Sequence, residues 1–108
     1  MAENHVVVLS TVPDQKSADK IAVALVKERL AACVNLMPGI TSIYSWKQEL
    51  RREPECLLII KTTAGRFEAL RRRLRALHPY QTPEILALPV SHGGPDYLDW
   101  LTQNTRTP

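Results

Sequence analysis

No stretch of this sequence approaches the ~20 consecutive apolar residues that a helix needs to cross a bilayer. The opening MAENHVVVLSTV turns apolar at once, with no basic flank or small-residue cleavage site, and so reads as a first strand rather than a signal peptide. Cysteine is scarce: Cys33 and Cys56 form no C-x-x-C motif. That argues against a disulfide scaffold or a thiolate metal cage and fits reduced, packed thiols in the cytosol. The chain also lacks G-x-S-x-G, H-E-x-x-H and the phosphate-cradling G-x-x-x-x-G-K-[ST] frame. No enzyme class emerges, and no cofactor is required.

What is present is one domain's worth of core. The 108 residues are 44% apolar and 23% charged, with a net charge of +3. They suit a single domain over 1–108 and exclude a disordered chain. The mild basic excess makes no case for nucleic acid. The RRRLR run at 71–75 has no aromatics interleaved with it, as a base-stacking platform would.

Periodicity sets the order of elements. Val6–Val12 reads as a strand closed by Pro13-Asp14. Ala18, Ile21, Ala22, Leu25, Val26 and Leu30 fall on one face of a helix that Asp14 or Ser17 can cap. AACVNLM and ITSIYSW read as two stretches of strand bent at Pro38-Gly39, and QELRRE as a hairpin tip. CLLIIKT, apolar without alternation, suits a central strand or one buried on both faces. With the hairpin turning near Glu49, Cys56 would lie opposite Ser42. A second helix spans roughly 66–77, Ile85–Val90 forms a last strand, and Pro95 starts a short terminal helix.

Strand, helix, two strands, helix, strand is the βαββαβ order of an α+β, ferredoxin-like split βαβ, with a short C-terminal helix. In it the first and third strands are central and the second lies at an edge. That edge is long and apolar-rich, and an open edge of this kind calls for a partner. A second copy of the chain is the simplest one.

Four places carry candidate chemistry. In LHPYQTPEILAL, His78 and Glu84 can each ligate a metal, but their spacing matches no standard zinc pattern. Two prolines make the same segment a stiff corner, so structural and binding readings both stand. Cys33 reads as a packed thiol or a ligand for copper. Tyr44 and Trp46 share parity near a hairpin end, placed to pack against a neighbouring subunit. Lys61, closing CLLII, suits an ion pair or an anion, and Tyr80 adds apolar area and one hydroxyl.

Taken together, ERLAACVNL at 28–36, SIYSW at 42–46, LLIIKT at 57–62, HPYQTPEILALPV at 78–90 and YLDW at 97–100 resemble the CutA divalent-cation tolerance family. The resemblance implies a cytoplasmic homotrimer, PII-like in its trimeric assembly, whose long second and third strands pair across subunit boundaries. It further implies tolerance of copper or another divalent cation, with Cys33 and His78 at positions the family associates with metal. Glu84 joins them as a candidate. Two departures stand out. A cysteine found in some members within the first strand is absent from LSTVP, and Gln48 stands where a glycine is frequent. The alternative implied function is a PII-like regulator with a small anionic ligand between subunits, near Lys61 and Tyr80. Neither reading calls for nucleic acid or a membrane.

Overall fold

A computed structural model describes residues 4–107, so the first three residues and the last one of the expected domain lie outside the described range. Four strands and three helices follow in order: β1 (His5–Val12), α1 (Gln15–Lys27), β2 (Cys33–Trp46), β3 (Glu49–Thr63), α2 (Phe67–Leu77), β4 (Leu86–Pro89) and α3 (Pro95–Gln103). A single 3-10 turn at Ala64–Arg66 leads into α2. The sheet order is β2-β3-β1-β4 with every neighbouring pair antiparallel. β3 inserts between β1 and β2, and β1 between β3 and β4, which is the split βαβ arrangement of an α+β fold.

Helix α1 forms because its apolar residues recur at helical spacing and its first turn is capped. The Asp14 side chain accepts from the Ser17 N–H at 2.7 Å. That bond holds the Asp14 carboxyl below its ordinary value. Ala18, Ile21, Ala22 and Leu25 turn inward, whereas Val26 is exposed. The helix ends before Leu30. Arg29 takes a left-handed φ of 59°, and the N–H groups of Leu30 and Ala31 both reach back to Leu25 O. Leu30 is therefore buried from a reversal rather than from the helix face on which periodicity placed it.

The helix layer covers one sheet face. Val8, Val12, Leu58 and Ile60 meet Ile21, Leu25, Leu70 and Leu74 in a dry core. On the other face Leu57 and Ile59 are half-buried, and Leu86, Leu88 and Met37 are about half exposed. The central position expected for CLLIIKT is observed, but its burial alternates, deep toward the helices and partial on the far side. Helix α3 packs near one end of β3, tied there by Leu101 and by the Thr63–Thr105 hydroxyl pair.

The hairpin corrects the sequence reading. Only Gln48 of QELRRE lies in the tip: the strands run to Trp46 and Glu49, and Lys47 and Gln48 alone turn the chain, with φ of 51° and 67°. Two successive left-handed residues are the conformation that two-residue hairpins favour. Pro38 and Gly39 do not break β2 either. They form a bulge between Met37 and Ile40, with Gly39 at φ 79°. The register then places Glu53, not Cys56, opposite Ser42. Past Cys56, which pairs with Val12, β3 pairs with β2 alone and the two form an arm. The molecule measures 47 × 26 × 22 Å as a result.

Gln48 holds a conformation that costs a side-chain-bearing residue about 1–2 kcal/mol. Gln48→Gly is expected to raise the unfolding free energy by about 0.5 kcal/mol, the relief being offset in part by the looser unfolded chain. Denaturant titration of the two proteins checks this, and a loss of stability would refute the strained turn.

Candidate functional site

The end of α2 builds the site. The His78 N–H closes the helix on Leu74 O at 2.9 Å, and Pro79 stops it from continuing. The His78 side chain is buried and turned back onto β1, with Nε2 2.8 Å from Thr11 O. A carbonyl only accepts, so Nε2 carries the proton and donates. Nδ1 is then free to accept the Tyr80 N–H at 3.1 Å. Both ring nitrogens are engaged and the neutral tautomer is fixed. Burial drives the His78 pKa below the ordinary imidazole value of 6.5, against a smaller opposing pull from the Thr11 bond and the Glu55 charge.

Tyr80 leans on this imidazole, ring centroids 4.9 Å apart, and donates its hydroxyl to Glu55 Oε2 at 2.8 Å. Glu55 is only 8% exposed, at the point where β3 leaves β1 and enters the arm. Desolvation, and then the bond to Glu55, push the Tyr80 pKa up, so the phenol stays protonated and remains a donor. Beside this pair opens a cleft of about 770 Å³ lined by Tyr44, Trp46, Arg51, Glu55, Tyr80 and Glu84, among others.

The structure thus gathers Tyr44, Trp46, Tyr80 and Glu84 around one cleft, with His78 buried behind its rim. The bulge makes this possible. Before it the odd residues of β2 oppose the odd residues of β3, and after it the even residues do. Tyr44 and Trp46 thereby move onto the face that carries Arg51 and Glu55. Cys33 and Lys61 lie elsewhere, paired with each other across β2 and β3. Cys33 is a half-buried free thiol. Lys61 is in no ion pair among the described residues and sits with Nζ 5.8 Å from the Tyr97 ring centroid, itself packed on Trp100. Among the described residues no three His, Cys, Asp or Glu side chains converge as a metal would need. Glu55 and Arg51 were missed as site residues, and their one signal was a carboxylate at the head of an apolar strand.

An α+β fold with a carboxylate- and aromatic-lined cleft beside a long free strand edge is the class of protein these features define. The pattern of the CutA1 divalent ion tolerance protein matches residues 6–104. The chain is 57% identical over 99 residues to the divalent-cation tolerance protein CutA of Thermus thermophilus, spanning 92% of this chain and 96% of the relative. It is 50% identical over 101 residues to the protein of that name in Escherichia coli, spanning 94% and 90%. The solved Thermus thermophilus structure superposes with a TM-score of 0.92 at 55% identity, over 94% of this chain and 99% of that one. CutA1 from Oryza sativa gives 0.94 at 41% identity, over 96% and 95%. A protein from Archaeoglobus fulgidus described as periplasmic divalent cation tolerance protein CutA gives 0.92 at 34%, over 94% and 99%. The chain belongs to the CutA divalent-cation tolerance family. That family is described by a tolerance and not by a reaction. Among the described residues no helix is long and apolar enough to cross a membrane.

Two outcomes follow for the corner. Because the folded pKa of His78 is depressed, the unfolded chain binds the proton more readily. Stability is therefore complete above about pH 6.5 and falls as the pH drops below it, by at most about 1.4 kcal/mol per unit. Denaturant titrations at about pH 5 and 7.5 should show this, with a smaller difference in His78→Gln; equal differences would refute it.

Tyr80→Phe leaves the Glu55 carboxylate without its donor. The expected loss is about 1–2 kcal/mol, below the full value because the ring is partly exposed and water replaces part of the bond. An unchanged denaturation midpoint would place Glu55 in water.

Proposed function

We propose that the chain serves divalent-cation tolerance as a cytoplasmic homotrimer that binds copper or another divalent cation weakly and catalyses no reaction. The observation that carries this reading is the β2–β3 arm. It is a two-stranded ribbon whose Ile43, Tyr44, Trp46 and Leu50 are 43–69% exposed, and ribbons of this kind are marginal in water unless covered. The free edge of β2 and the open sheet face with Leu86, Leu88 and Met37 ask for cover as well. Copies of the chain supply that cover by strand pairing across subunit boundaries.

The ligand groups support weak, shared binding. Glu84 lines the cleft, the Cys33 thiol lies on the far part of β2, and His78 must break a hydrogen bond before it can ligate. Symmetry multiplies such partial sets at subunit junctions. Copper accepts thiolate, imidazole and carboxylate together, so a mixed set of this kind suits it. The free cysteines fit a reducing compartment. A regulator holding its anion near Lys61 and the His78 corner fits less well, because Lys61 lies over Tyr97 and both His78 nitrogens are occupied.

Light scattering at micromolar concentration should give about three times the 12.2 kDa chain mass, and a folded monomer would refute the assembly. Calorimetric titration of the same sample with Cu²⁺ and Zn²⁺ should give dissociation constants on the order of micromolar or weaker. His78→Ala is expected to change copper affinity by less than about tenfold, and Cys33→Ser by more. Affinity lost only in His78→Ala would place the metal at the corner. Affinity unchanged in both variants would remove the metal from these residues.

A further inference from the structure

We propose that the chain carries a second binding site, for a small phosphate monoester bearing hydroxyl groups. It lies in the cavity between the start of β1, the end of β3 and helix α3. The cavity measures about 880 Å³, and Arg66 and Arg106 stand on its wall among hydroxyl side chains. The site is independent of the cation reading and needs no partner chain.

Its walls are tied together by polar bonds. His5 Nε2 lies 2.8 Å from Thr102 Oγ1, which joins β1 to α3. The Thr63 and Thr105 hydroxyls meet at 3.4 Å and join β3 to the turn after α3. Arg29 donates to the carbonyls of Gln103 and Arg106, and the Arg66 Nε donates to Arg29 O at 3.4 Å. Arg66 is therefore held by one nitrogen, with its two terminal nitrogens left for a ligand. Among the described residues neither Arg66 nor Arg106 is in an ion pair, although Arg51, Arg71 and Arg73 each are. Held walls lower the ordering cost of binding.

The chemistry selects the ligand class. Guanidinium forks match phosphate oxygens in paired geometry, and two of them suit a doubly charged group better than a single carboxylate. The Thr63, Thr102 and Thr105 hydroxyls and the His5 ring are engaged with one another and fix the shape of the wall, which leaves the arginines and Asp99 as its free charged groups. Asp99 shares that wall and repels a bare anion, but it accepts from a ligand hydroxyl. The cavity is much larger than a phosphate ion and falls in the size range of small-molecule sites. A phosphate at the arginines with a hydroxylated body toward Asp99 satisfies both the cationic and the anionic part of the wall.

Ribose 5-phosphate is the probe, titrated calorimetrically into the full chain alongside inorganic phosphate and ribose. Ribose 5-phosphate is expected to bind with a dissociation constant of about 1 mM or tighter, and inorganic phosphate at least about tenfold more weakly. Arg66→Gln and Arg106→Gln should each lose about tenfold, while Arg72→Gln on the outer face of α2 stays within about twofold. Asp99→Asn should weaken ribose 5-phosphate and leave inorganic phosphate unchanged or tighter. Arg106→Gln guards against misfolding, since only the backbone of Arg106 is used by Arg29. No binding at about 10 mM, an equal loss in Arg72→Gln, or inorganic phosphate binding as well as the monoester would each overturn the proposal.

Discussion

Strand β3 is longer than the sheet it belongs to, and the rest of the architecture follows from that mismatch. Its second half, Cys56–Thr63, runs antiparallel to β1 and carries Leu58 and Ile60 into the core. Its first half has only β2 beside it. The same strand is thus a core element at one end and an exposed ribbon at the other. Glu55 stands at the boundary, where a carboxylate is tolerated because Tyr80 reaches it from the α2–β4 connection. A buried carboxylate without a donor is costly, so the His78–Pro79–Tyr80 corner and the arm are stabilised together. The corner is structural in its bonds, yet it also shapes the cleft. The two readings of LHPYQTPEILAL are not exclusive.

The bulge at Pro38–Gly39 has an effect disproportionate to its size. An uninterrupted register would leave Tyr44 and Trp46 on the face opposite Cys33 and Met37. The extra residue reverses that parity, so the arm's aromatics continue the open face of the sheet. Proline suits the position because it has no N–H to give to the ladder, and glycine because its φ of 79° costs nothing there. Leu88, Ile59, Met37, Tyr44 and Trp46 then share one face, with Glu55, Glu53 and Arg51 interspersed among them along the arm.

Much of this was legible in the sequence, and the failures have physical causes. Helical spacing in α1 and α2, Pro95 opening α3 and the central place of CLLIIKT were all readable, because each rests on a local pattern. QELRRE read as a tip because polarity normally marks a turn. Here it marks a ribbon wetted on both faces, and a solvated strand gives no periodic signal. Placing the turn near Glu49 rather than at Lys47-Gln48 is what set Cys56 opposite Ser42, while the bulge, beyond Ser42, shifts only the pairing from Met37 back to Cys33. The resemblance to a family carried what local patterns did not. Glu55 escaped notice because its burial depends on Tyr80, far along the chain, and no spacing rule connects the two. Lys61 lies over Tyr97 for the same reason, a contact made only once α3 has folded back.

The arm also constrains what kind of assembly can satisfy it. Register places Tyr44 and Trp46 on one face and Ile43 and Leu50 on the other, and all four are substantially exposed. A two-fold dimer that pairs β2 with its copy covers one edge and, at best, one of these faces. Covering both faces requires the arm to enter between elements of another chain, a heterologous contact in which donor and acceptor surfaces differ. Such contacts either close into a ring or propagate as a fibre. Glu49, Arg51, Arg52 and Glu53 cluster near the arm's tip, and charges there oppose indefinite strand-on-strand growth. A small closed ring satisfies the edge, both faces of the arm and the charged tip at once, and three copies is the smallest ring in which each chain meets two different neighbours.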